Sequence, residues 1–175
     1  MTASLQVLIA ARDRADSIAS LIAALREELP TAELLVFDDG SADPTSVQAV
    51  TAGARVLRGE VPDGPGVAWR RLIAASEARW LLLIDADEAP DPRALNALWA
   101  RVRPDVDAFC LRGRRPALRV PRLMRWRDPG PLLIRGDRAR AMPLRRRGRG
   151  LRGELLAAGS AGAQGVAIVP RARLG

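Results

Sequence analysis

Short apolar runs alternate with segments of helical period along the first 113 residues, and that alternation leaves the chain few folds to choose from. "LQVLIA" (5–10), "ELLVFDDG" (33–40), "ARVLRG" (54–59), "RWLLLIDAD" (79–87) and "DAFCLRG" (107–113) have the length and apolar density of buried strands. Between the first two, "DSIASLIAALREELP" (16–30) sets Ile18, Leu21, Ile22, Leu25 and Leu29 at helical spacing. Asp16 or Ser17 suits its start and Pro30 its end. "SADPTSVQAV" is a loop running into a short helix, and "GPGVAWRRLIAASEA" (64–78) is a turn followed by a helix. "DPRALNALWARV" (91–102) is a further helix with Pro92 in its first turn. Strand and helix in this order predict an α/β fold, a mainly parallel sheet flanked by helices.

Ligands of such sheets bind beyond the carboxyl ends of the strands. Two acid clusters are expected there, Asp38–Asp39 and Asp85–Asp87, the second followed at once by Glu88. An Asp-x-Asp at a strand end suits a hard cation, since magnesium and manganese take a carboxylate or two and complete their shell with water and substrate phosphates. The competing reading is a solvated turn in which Asp87 or Asp91 caps the next helix. "FDDGSAD" (37–43) offers acceptors for ribose hydroxyls or a base N–H, or else forms an acidic turn and helix cap. Gly40 permits a tight turn there. "DGPGVAWRR" (63–71) either brings backbone close to a ligand or is a plain turn.

Composition removes several chemistries. All 28 basic residues are arginine, the net charge is +8, and histidine, lysine and tyrosine are absent. A positive field favours phosphates, nucleic acid or an anionic membrane face. Lacking histidine, the chain cannot run Ser-His-Asp or Cys-His catalysis. Cys110, the single cysteine, allows no internal disulfide and no cysteine zinc site. The opening residues carry no long apolar region, and no run approaches the roughly 18 apolar residues that span a bilayer. A cytoplasmic location is the expectation. Beyond residue 113 the alternation decays into "RGRRPALRVPRLMRWRDPGPLLIRGDRARAMPLRRRGRG", a disordered arm, an anion-binding surface or an acceptor loop. "LRGELLAAGSAGAQGVAIVP" then reads as a short helix, a turn and a strand. Without a repeat or a clean linker, residues 1–175 are taken as one domain.

In their order, "VLIAARDRADSIASLIAAL", "AELLVFDDGSADPT" and "GPGVAWRRLIAASEARWLLLIDADEAPDP" resemble the opening, the nucleotide-binding turn and the metal-binding Asp-x-Asp of the family-2 glycosyltransferases of the GT-A fold. "RDPGPLLIRGDRARAMPL" and "RGRGLRGELLAAGSAGAQGVAIVP" are similar to the C-terminal part of the polyprenyl-phosphate branch, here shortened. The resemblance implies a nucleotide-sugar-binding part at 1–112 and a shortened acceptor-side part at 113–175. It implies that Ala11, Arg12 and Asp13 line the base pocket and that Asp38 and Asp39 hold a uridine or guanosine. By the same likeness Asp85 and Asp87 serve the ribose side and a divalent magnesium or manganese ion, with Asp87 the principal ligand. Asp128 and Arg135 fall near the reacting sugar and acceptor phosphate, and Glu154 matches a family acid. The implied activity is metal-assisted inverting transfer from a nucleotide-sugar donor, with a polyprenyl phosphate as acceptor type.

The chain departs from the family where Ala10 replaces a usual proline and Arg14 a usual glutamate, and in its short stretch between Cys110 and Asp128. The cationic segment 112–127 is expected to bind anionic membrane surfaces weakly and peripherally. The alternatives are a non-catalytic, degenerate transferase fold, an RNA-binding module, or a sugar nucleotidyltransferase. Nucleic acid is the less favoured partner, because base stacking needs aromatics and these are 3% of the chain.

Overall fold

The computed structural model describes residues 4–88, 91–102, 106–111, 131–141 and 166–169. In chain order they form β1 (Leu5–Ala11), α1 (Ile18–Glu28), β2 (Glu33–Asp38), α2 (Thr45–Thr51), β3 (Arg55–Arg58), α3 (Pro65–Ala74) and β4 (Trp80–Asp85). A 3₁₀ turn at Ala86–Glu88 leads to α4 (Pro92–Trp99), β5 (Ala108–Leu111), β6 (Leu132–Arg135), α5 (Gly136–Ala141) and β7 (Val166–Val169). The strands join one sheet in the order β3-β2-β1-β4-β6-β5-β7. Pairing is parallel from β3 through β4 and between β5 and β7, while β6 runs antiparallel to both its neighbours.

The apolar runs follow from burial on both faces. Every residue of β1 is buried, yet its side chains still alternate. Leu5, Val7 and Ile9 join Val36, Leu82 and Ile84 in a core covered by Ile18, Ile22 and Leu25 of α1 and Leu95 and Leu98 of α4. On the other face Leu8 joins Leu35, Phe37, Leu81, Leu83, Leu132 and Ile134 beneath Trp69, Leu72 and Ile73 of α3. Each fully buried Leu or Ile contributes about 1.5–3 kcal/mol relative to exposure. Trp69 and Trp80 are both buried, and Trp80 meets Phe109 at 6.2 Å between ring centroids.

Helix starts differ in how they are capped. Asp91 is the N-cap of α4 and accepts from the Arg93 N–H at 3.2 Å, the capping role weighed for it above. At α1 the N-cap residue Ser17 makes no side-chain capping bond. The main correction is β6. "LLIR" belongs to the basic stretch where the sequence pattern decays, but the structure inserts it antiparallel between β4 and β5. Four residues between Pro131 and Gly136 give too short a pattern to announce a central strand.

Leu83 is fully buried on β4, with β1 on one side and β6 on the other. Leu83→Ala should therefore lower unfolding free energy by about 2–5 kcal/mol in a denaturant titration. Val47→Ala, on the exposed face of α2, should stay within about 0.5 kcal/mol of wild type.

Candidate functional site

Chain direction diverges between β1 and β4. From β1 the sheet grows through β2 to β3, and from β4 it grows the other way. Neighbouring strands whose connections leave in opposite directions open a crevice at their carboxyl ends. Ala11 lies beside Asp38 in the β1–β2 register, and Ala10 beside Asp85 in the β1–β4 register. Both expected acid clusters therefore stand on one rim.

The loops after β1 and β2 are stitched together. The Asp13 N–H donates to Ser41 Oγ at 2.9 Å, and the Ala42 N–H donates to Asp13 Oδ1 at 2.8 Å. Asp13 holds a left-handed backbone, φ 51°, between those two bonds. The Arg14 N–H donates to Thr45 Oγ1 at 2.7 Å and the Ala15 N–H to Asp43 Oδ2 at 2.9 Å. Asp43 Oδ1 accepts from the Thr45 N–H at 3.0 Å and from the Thr45 hydroxyl. The Thr45 hydroxyl and the Ala15 N–H hold the Asp43 carboxyl below its ordinary range. Ser41 and Asp43 thus act as the acidic turn that "FDDGSAD" allowed, and Thr45, outside that stretch, joins them as an organiser. Their spacing was a usable signal, because Ser, Asp and Thr habitually bond nearby backbone in turns.

Asp38 and Asp39 look inward. Asp38 is fully buried, and its Oδ1 accepts from both the N–H of Ser41, at 2.9 Å, and the Ser41 hydroxyl. Its Oδ2 lies 3.7 Å from Arg58 Nε. Asp39 Oδ1 accepts from the Asp63 N–H and Oδ2 from the Gly64 N–H, each at 2.9 Å. That places a carboxylate at the start of α3, where the backbone dipoles favour it. Gly64 has φ 88°, which suits glycine at this junction. Gly40 has φ 68°, and a Cβ there would lie 2.8 Å from backbone atoms of Val61 and Pro62. The Asp38 side chain, expected at the nucleoside, is buried here and shapes the turn through Oδ1, while Oδ2 makes no hydrogen bond within the described residues.

Asp85 is half-buried and Asp87 exposed at the β4 end. The Asp87 N–H donates to Asp85 Oδ1 at 3.2 Å. Both Nε and Nη2 of Arg14 contact Asp87 Oδ1. The bond and charge of Asp87, with smaller help from Asp16 and Asp85, hold the Arg14 guanidinium above its ordinary pKa. Among the described residues no cluster of three or more His, Cys, Asp or Glu side chains is assembled to hold a metal ion. The two carboxylates are of the right type for magnesium or manganese, but the oxygen of Asp87 already faces a guanidinium. As folded, the pair is not an open cation seat.

Ala11 is buried at the end of β1, and Arg12 is exposed with Nε 3.6 Å from Asp13 Oδ2. Arg135 is displaced from its expected role. Its register partner is Trp80, the first residue of β4, so about 3.3 Å per residue puts it about 16 Å along the strand from Asp85. It pairs there with Asp137 at 2.6 Å and Asp107 at 3.5 Å. Asp128 and Glu154 lie outside the described residues. Arg58 and Arg71 were not anticipated. Arg58 donates to the Ser41 carbonyl at 3.2 Å, and the Arg71 guanidinium sits 5.6 Å from the Phe37 ring centroid.

Acids and arginines thus rim a topological switch point, where α/β sheets bind their ligands. Residues 6–154 match glycosyl transferase family 2, and the chain belongs to that family. It is 31% identical over 132 residues to a TPR repeat-containing protein of Synechococcus elongatus, covering 71% of this chain and 32% of that one. It is 37% identical over 94 residues to glucosyl-3-phosphoglycerate synthase of Mycolicibacterium paratuberculosis, covering 48% and 28%. The chain thus spans about a third of the length of these two relatives. The solved structure of glucosyl-3-phosphoglycerate synthase from Mycobacterium tuberculosis with Mg²⁺ and uridine diphosphate superposes with TM-score 0.74 at 25% identity. That match covers 96% of this chain and 69% of the synthase. The fold is GT-A, as the resemblance implied.

The stitched loops carry a pH signature. Asp43 has a folded pKa depressed below its unfolded value of about 3.9, so its contribution is full above that value and is lost as pH falls through the folded one. Melting temperature followed from pH 7 to pH 2 should show an acid limb that Asp43→Asn flattens. The variant should already melt lower at pH 7.

Proposed function

We propose that this chain is the donor-binding part of a glycosyltransferase that moves a sugar from a nucleoside-diphosphate sugar, uridine-linked in the first instance, to an acceptor carrying a phosphate. The observation that carries the reading is the pair of loops locked side by side at the β1–β4 crevice. Uridine diphosphate in the homologous synthase structure supports the donor class.

In this reading residues 11–13, with the turn at 39–43, form the nucleoside side of the crevice. Asp39 fixes residues 63–64 at its edge through two backbone N–H bonds. Asp38 acts at one remove by closing the turn that places Ser41. The diphosphate lies toward Asp85, Asp87 and Arg14. Inverting transfer forms one bond from the acceptor oxygen to the anomeric carbon and breaks the bond to the diphosphate, which leaves with the electron pair. An ionised acceptor phosphate carries no proton to remove, so a dedicated strong base is unnecessary. The divalent ion usual in the family would be held by Asp85 and Asp87 and would supply positive charge to the leaving diphosphate, at a carboxylate that Arg14 already faces.

Two acceptors carrying a phosphate are compatible with this donor site, and attack through the ionised phosphate oxygen applies to the first of them. One is a polyprenyl phosphate, suited to the cationic segment 112–127. The other is a small phosphorylated acid, as in the names of the synthase relatives. No helix of the described residues is long and apolar enough to cross a membrane. A cytoplasmic position at the inner membrane face fits that chemistry.

Calorimetry with uridine diphosphate tests the donor reading. Wild type should bind, and Asp39→Ala should lose tenfold or more. A bond to a charged acceptor is worth about 1.5–3 kcal/mol, and tenfold in affinity is about 1.4. Stabilisation by short RNA at matched salt, with none by nucleoside diphosphates, would replace this reading with a non-catalytic RNA-binding one.

The acceptor reading is tested by flotation. Vesicles containing anionic lipid should retain the chain at low salt and release it at high salt, and neutral vesicles should not retain it. About 1 kcal/mol per arginine near the surface sets the scale. Absence of binding at low salt would favour the small soluble acceptor.

A further inference from the structure

One ion pair crosses the crevice. Arg14 belongs to the loop after β1, and Asp87 lies 73 residues later on the turn after β4. Two nitrogens of the guanidinium, Nε and Nη2, reach one oxygen of Asp87. The third, Nη1, donates to the Asp13 carbonyl at 3.1 Å. The Arg14 backbone is pinned in turn, since its N–H donates to Thr45 Oγ1 at 2.7 Å. The guanidinium is therefore carried by the stitched loops and aimed at the Asp-x-Asp of β4.

A divalent ion needs carboxylate oxygens at about 2.0–2.1 Å in near-octahedral order, and it repels a neighbouring cation. A guanidinium bound to the same oxygen blocks that approach. It also supplies some of what the ion would supply, a permanent positive charge with N–H donors in a planar fork that matches phosphate oxygens. Both partners are substantially exposed, Arg14 at 37% and Asp87 at 54%, so the pair is exchangeable rather than locked.

We propose that Arg14 is the built-in cation of this site: it competes with divalent metal for Asp87, and it lets the chain hold a nucleoside diphosphate without metal. The second half of this rests on the donor reading above; the first half does not.

Two titrations test it on the full chain. In the first, free manganese is followed by electron paramagnetic resonance without nucleotide. Wild type should bind weakly, Arg14→Ala about tenfold more tightly, and Arg14→Ala combined with Asp87→Asn as weakly as wild type. Equal manganese affinity in wild type and Arg14→Ala, with both chains folded by circular dichroism, would overturn the competition. In the second, uridine diphosphate is titrated by calorimetry in excess chelator and in excess manganese. Wild type should bind within about twofold in the two conditions. Arg14→Ala should lose about tenfold in chelator and recover with manganese. Wild-type binding that disappears in chelator would overturn the metal-free role. If wild type binds the nucleotide in neither condition, the donor reading and the metal-free role fall together, and the manganese titration still decides the competition.

Discussion

The buried side chain of Asp38 is the constraint on which the rim depends. A carboxyl group fully removed from water is costly unless its oxygens are bonded. Oδ1 is satisfied by the N–H and hydroxyl of Ser41, which closes the turn at the end of β2. Closing that turn puts Ser41 Oγ under the Asp13 N–H. Asp13 then takes its left-handed backbone, and Arg14 and Ala15 fall into reach of Thr45 and Asp43. One buried polar group thus propagates through two loops and decides where Arg14 points.

The sheet was largely legible because its strands are buried on both faces. Runs such as Leu81–Ile84 have no exposed face to interrupt them, and the helices between them show their own period. The acid rim was legible for the same reason, since a parallel α/β order fixes which strand ends share an edge. β6 was not. Its four residues pair antiparallel with β4 and β5, and nothing local in "LLIR" specifies either neighbour. The misplacement of Arg135 follows directly, because reversing a strand carries its last residue to the opposite end of its partner.

At the site, residue type was readable but orientation was not. Acids at the end of β2 suggest a ligand, yet Asp39 bonds to N–H groups 24 and 25 residues away, and no local pattern shows that. Asp43 was legible as a turn former, though its bond to Ala15 depends on β1 and β2 lying side by side. Arg14 stood out as a departure from the family, but its partner Asp87 is visible only once β1 and β4 are neighbours. The balance of charge across the crevice is thus a property of the sheet order more than of any motif.

Ser41 joins the loops after β1 and β2 into one cooperative unit. Native-state hydrogen exchange in wild type and Ser41→Ala measures it most directly. In the variant, protection should fall together at the amides of Asp13, Arg14, Ala15 and Ala42, while Leu82 and Leu83 of β4 keep theirs. Loss confined to Asp13, the one backbone amide in the loop after β1 bonded to Ser41 Oγ, would contradict it.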